Sequence, residues 1–108
     1  MFILNEIVLA NMFEETFYDE IESIYGGESS ISFVSEDFSM NYNFLEGHIV
    51  FEEVGLCRIG AIFISEHSVF SKIDASNTFG YHVGLFEHKL KKFIKSNQKR
   101  SHRKFLMR

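Results

Sequence analysis

The sequence predicts an α+β domain: an antiparallel sheet of four or five strands running as a meander, with one helix near each end of the chain. Three observations predict it. Apolar residues recur at helical spacing over residues 13–24 and again over 86–97. Between them the apolar residues follow the two-residue period of half-buried strands. Glycine, asparagine and serine interrupt that middle stretch at short intervals, and there is no proline to stiffen the turns. The 108 residues suit one domain, and 13 phenylalanines with 4 tyrosines supply the bulk of a single aromatic core.

Taken in order, residues 2–9, FILNEIVL, fit either a first strand or the lead-in to a helix. Asn11 followed by Glu14 makes a capping box, and Phe13, Phe17, Ile21 and Ile24 then recur at spacings of 4, 4 and 3. This predicts a helix from about Asn11 to Tyr25, stopped by Gly26-Gly27. Residues Phe38 to Phe44 alternate strictly, and Ser30 to Val34 more weakly. Glu46-Gly47 reads as a turn into a strand at His48 to Val54, and Gly55 leads into Leu56 to Ser65, apolar enough for a central strand. Residues 66–79 carry no clear period, and Gly80 to Val83 is a candidate further strand. From Gly84 the helical period returns: Phe86, Leu90, Phe93, Ile94 and Asn97 share a face opposite Lys91, Lys92 and Lys95. That helix is expected to end around Ser96 to Lys99, leaving a basic extension from about residue 97.

Charge is distributed along the chain in two blocks. Residues 1–57 hold twelve acids and no Lys or Arg, whereas 58–108 hold three acids and eleven bases, so a formal net charge of -4 conceals a polar molecule. On a helical wheel Glu15, Asp19 and Glu22 form an outward stripe with no cation on the same helix, and like charges at this spacing repel. Lys91, Lys92, Lys95, Lys99, Arg100, Arg103 and Lys104 carry the opposite charge at the other end of the chain. Phe105, Leu106 and Met107 are apolar anchors by which this basic end would fold back onto the domain.

Catalytic equipment is hard to find. Five histidines show no zinc-ligand spacing, His67 standing alone in Ser-Glu-His-Ser, and the glycines form neither a P-loop nor a dinucleotide fingerprint. Cys57 is the sole cysteine, so it forms no intramolecular disulfide, and beside Leu56, Ile59 and Ile62 it is expected to be buried and inert. A small enzyme would need His67 or His82 brought to Cys57 or a carboxylate. The expectation is a cytoplasmic non-enzyme with no metal, cofactor, leader or membrane span.

The acidic run EETFYDEIESIYGGE is then the leading functional feature, an anionic surface for a basic protein. In its size, its Phe/Ile/Asn/Ser-rich and proline-free composition and this acidic run, the chain resembles the small immunity proteins that bacteria pair with contact-dependent or polymorphic toxins. The resemblance implies a cognate basic toxin domain as partner, a nuclease whose phosphate-binding site is covered by carboxylates. Glu15, Asp19, Glu22, Glu28, Glu36 and Asp37 would supply the charge, and Tyr18 and Tyr25 the anchors. The alternatives are a nucleic-acid-binding or regulatory domain that uses the basic end, and a phage-type inhibitor of a host defence complex.

Overall fold

A computed structural model describes residues 4–65, 68–73 and 77–106, with side chains as far as Ser96. Its order is α1 (Glu6–Phe17), β1 (Ile21–Gly26), β2 (Ser30–Ser35), β3 (Phe38–Asn43), β4 (His48–Glu53), β5 (Arg58–Ile64), β6 (Val69–Lys72) and α2 (Thr78–Leu106). The six strands pair antiparallel in chain order, so the meander is as expected and the strand number is larger. The two added strands are β1, expected to be helix, and β6, which falls in the stretch without a clear period.

The first helix begins before Asn11 and stops well short of Tyr25. Asn5 caps it, its side-chain oxygen accepting from the Ile7 N–H at 2.7 Å. Leu9, Met12, Phe13, Thr16 and Phe17 make a complete buried face without help from Ile21 or Ile24. Tyr18 then turns left-handed at φ 53°, its N–H returning to the Glu14 carbonyl at 3.0 Å. Ile21 and Ile24 belong to edge strand β1, where the register shifts between Ile21 and Ser23. That irregularity breaks the two-residue alternation and leaves a spacing that also fits a helix.

Both helices cover one face of the sheet. Ile31, Tyr42, Ile49 and Ile62 form one cross-strand row beneath them, and Phe33, Met40, Phe51 and Gly60 form the next. Gly60 leaves room for Ile73 and Val83, which a Cβ there would crowd. Phe79, Val83, Phe86 and Leu90 are the buried stripe of α2. The α2 cap is Asn77, whose side-chain oxygen accepts from the Gly80 N–H at 2.8 Å. Gly80 to Val83 is therefore part of the first turns of this helix and not a strand. At its far end α2 continues through Leu106, so the basic extension is helix, and Met107 and Arg108 lie outside the described residues. No helix among the described residues is long and apolar enough to cross a membrane.

Among the described residues no helix lies on the opposite face of the sheet. Across β1–β3 it presents Tyr25, Ser32 and Asn41; across β4–β6 it presents Val50, Ala61 and a stacked Phe63–Phe70 pair at 5.3 Å with Lys72 above Phe63.

Two glycines occupy left-handed turns with different surroundings. Gly47 (φ 74°) accepts from the Ile64 N–H at 2.7 Å, and a Cβ on it would stand 2.6 Å from the Ile64 carbonyl oxygen; Gly55 (φ 88°) faces open space. Alanine at Gly55 should cost about 1–2 kcal/mol, the left-handed penalty alone, whereas Gly47→Ala should cost clearly more, which urea denaturation of the two variants will compare.

Tyr42 gives a pH signature. Burial raises its phenol above the ordinary 10.0, and a hydrogen bond with the Leu4 backbone partly opposes the rise. A raised folded-state pKa favours the protonated phenol, so stability is intact below pH 10.0 and declines as pH climbs through the higher folded-state value. Tyr42→Phe should flatten that alkaline decline in chemical denaturation run across the range.

Candidate functional site: three converging carboxylates

The meander places the β2–β3 and β4–β5 turns at the same end of the sheet, where β1 begins and α2 starts. Residues 18–20 join α1 to β1 at this end as well. Glu14 secures that corner, its carboxylate accepting from the Ile21 N–H at 2.8 Å. Ser35 ties the β2–β3 turn: its buried hydroxyl donates to the Phe38 carbonyl at 3.0 Å and accepts from the Phe38 N–H at 3.2 Å. The two corners are then joined by Asp19, whose carboxylate accepts from the Asp37 N–H at 3.1 Å.

That link brings three carboxylates together. Oxygens of Asp19, Glu36 and Asp37 all lie within 4.8 Å of one another, Asp19 half-buried and the other two exposed. Among the described residues no Lys or Arg side chain pairs with any of them. Like charges at such a distance repel by roughly 1 kcal/mol per pair even in bulk water. An oxygen-only group of this kind can receive the ammonium or guanidinium of a partner or a hard divalent cation. The convergence joins positions 18 residues apart through a backbone hydrogen bond, so no local spacing announces it as a ligand-type cluster.

Aromatic rings border the carboxylates. Tyr18, next to Asp19, is 83% exposed, and its ring stands 6.3 Å from that of His82; Tyr81, 61% exposed, stands 5.9 Å from the same imidazole. His82 packs on Phe17 at 5.7 Å, and its Nδ1 is buried without a hydrogen-bond partner. Tyr81 has no signal in the sequence, because residues 80–83 read as a strand.

The remaining expected site residues are dispersed. The outward stripe of Glu15, Asp19 and Glu22 does not form, because the helix ends at Phe17: Glu15 is on α1, Asp19 in the connection and Glu22 in the irregular part of β1. Tyr25 lies on the uncovered sheet face and Glu28 in the β1–β2 turn at the opposite end. Cys57 is exposed in the β4–β5 turn at φ 53°, contrary to the expectation of burial, because the apolar run belongs to a hairpin tip before β5 begins. His67 lies outside the described residues.

The basic residues run away from this end. Lys89 pairs with Glu15 at 3.5 Å, in keeping with the antiparallel run of α2 along α1, and Lys91 pairs with Glu87 one turn back at 3.3 Å. Lys92 borders the groove between the helices together with Val8, Asn11 and Glu15, and Lys95 is exposed. At 1.5 Å per residue, Lys89 is about 16 Å along α2 from Thr78, and Lys104 about 39 Å. The helical backbone at Lys99, Arg100, Arg103 and Lys104 therefore carries those residues away from Asp19, Glu36 and Asp37; Met107 and the side chains of Phe105 and Leu106, the expected anchors, lie outside what is described.

Comparison of the chain with protein-family models, with curated proteins and with solved structures finds no match in any of the three.

The two roles at this end separate by mutation. Glu36→Gln removes repulsion and breaks no described hydrogen bond, so it should raise the melting temperature at low salt and lose that effect near 1 M, where the Debye length is about 3 Å. Asp19→Ala should lower it at both salt concentrations, because the Asp37 N–H loses its acceptor.

Proposed function

We propose that this protein binds and neutralises a basic protein domain, as an immunity protein does a nuclease-type toxin, by laying its acidic end over the toxin's phosphate-binding surface. The observation that carries this reading is the convergence of Asp19, Glu36 and Asp37 without a cation of their own among the described residues. A nuclease must present Lys and Arg to phosphate, and clustered carboxylates beside those groups steer encounter and exclude the substrate. Tyr18, next to Asp19 in the chain, and Tyr81, on the other side of His82, are exposed, and aromatic anchors of this kind add residence time. Glu22, at the start of β1, is at this end but outside the three-carboxylate group, and Glu15, Tyr25 and Glu28 stand apart; all four have secondary or no parts in it.

The nucleic-acid reading has its own support in Lys92 and Lys95, exposed where α2 approaches the far end of α1. One set of titrations decides between the two. Association with a basic toxin-type domain, sought among the products encoded beside this chain, is measured by stopped flow, with duplex DNA titrated in parallel. The combined variant Asp19→Asn, Glu36→Gln, Asp37→Asn is expected to slow association at low salt about ten-fold or more and to flatten its salt dependence. Glu28→Gln, at the opposite end, is expected to change neither. Unchanged association and protection by the triple variant sinks the acidic-surface reading, as does tighter binding of duplex DNA that depends on Lys91, Lys92 and Lys95.

A further inference from the structure

The β4–β5 turn lies directly against the acidic group. The Val54 N–H donates to the Asp37 carbonyl at 2.8 Å, so the tip of this hairpin is attached to the turn that carries Glu36 and Asp37. The turn and the start of β5 carry residues of the wrong kind for a solvated hairpin end. Val54, Leu56 and Ile59 are 46%, 60% and 64% exposed, and Cys57 takes a left-handed φ of 53° that asparagine, aspartate or glycine would adopt more readily. The stem is held firmly beneath them: the Leu56 N–H donates to the Glu53 carbonyl at 3.3 Å, and Arg58 pairs with the Glu53 carboxylate at 3.1 Å. Arg58 is thus engaged inside the hairpin and leaves the three carboxylates unanswered.

We infer that Val54, Leu56 and Ile59 are the apolar anchor of the acidic docking surface, and that the surface fits a basic protein whose Lys and Arg residues surround an exposed apolar patch. The inference rests on the acidic-docking reading and specifies its partner. Charge complementarity selects the occupant. Carboxylates beside the hairpin repel nucleic acid and anionic lipid, and a purely cationic chain would leave the apolar tip in water. An interface commonly divides these tasks, with rim charges setting the association rate and a desolvated apolar centre setting the dissociation rate. Single exposed apolar residues are ordinary, and Leu45, 77% exposed at the opposite end of the sheet, is one. This hairpin differs by carrying three of them, two in the turn and one in the second residue of β5, beside the turn that holds Glu36 and Asp37.

The test uses two synthetic peptides of equal length and charge, one alternating lysine with serine and the other lysine with leucine, titrated by fluorescence anisotropy at low salt. The lysine–leucine peptide is expected to bind about ten-fold more tightly, and Val54→Ser combined with Leu56→Ser to reduce it to the level of the lysine–serine peptide. Leu45→Ser is expected to preserve the preference. A preference that survives the hairpin variant, or that Leu45→Ser removes equally, overturns the anchor. If Asp19→Asn, Glu36→Gln, Asp37→Asn weakens both peptides in that case, acidic docking stands without it. If the triple variant weakens neither peptide, both the anchor and the acidic-docking reading fall.

Discussion

The ring of Phe17, the last residue of α1, lies 4.9 Å from Phe13, 4.9 Å from Phe38, 5.6 Å from Phe51 and 6.4 Å from Phe79. It therefore joins α1 to β3, β4 and α2 at a single point inside the core. A sheet with helices on only one face has one interior to fill, and aromatic rings in such contact add to area burial. The position of Phe17 also sets the path of the next few residues. Directly after this ring Tyr18 leaves the helix, in a left-handed conformation that turns the chain toward β1. Asp19 then falls where it meets the β2–β3 turn. The acidic cluster is a consequence of where the aromatic core ends.

The fold converts a linear separation of charge into a spatial one. Asp19, Glu36 and Asp37 gather at the end where α2 begins, and α2 carries its lysines in the opposite direction, toward its own C-terminus, where cations suit the helix dipole. Had the two helices run parallel, Lys89 and its successors would have approached the carboxylates. Instead the ion pair described between the two helices is Glu15–Lys89, which is largely solvated and contributes little.

Much of the fold was legible because strands β2 to β5 pair along strictly local hairpins with one buried face, which forces alternation into the sequence. The stripe of α2 was legible for the same reason at a different period, with Phe86 and Leu90 buried as expected. The misread regions are those where two periods coincide or where the decisive residue is a cap. Ile21 and Ile24 fit a helix wheel as well as an irregular edge strand, and only the left-handed exit at Tyr18 decides between them. Asn5 and Asn77 cap the two helices, but Asn11 and Gly84 gave stronger apparent starts. Of the candidate site, the charge was legible and its geometry was not. Asp19, Glu36 and Asp37 meet only through tertiary structure, while Glu15 and Glu28, equally acidic in sequence, are sent elsewhere and Glu22 stays outside the group.

The charge at the acidic end exceeds what the fold itself requires. Asp19 has a structural duty, because the Asp37 N–H requires an acceptor, but asparagine would provide one without a charge. Glu36 forms no described hydrogen bond, and the side chain of Asp37 serves none either. Solubility is better met by interspersed charges of both signs than by three of one sign within 4.8 Å. The neighbouring hairpin breaks a second local rule by exposing Val54 and Leu56 where turns are ordinarily polar. Two departures from local consistency, joined by the hydrogen bond from Val54 to Asp37, fall at one end of the molecule, and departures of this kind concentrate where a protein meets its partner. A cationic surface with an apolar centre would relieve both at once, whereas a metal ion would relieve only the first.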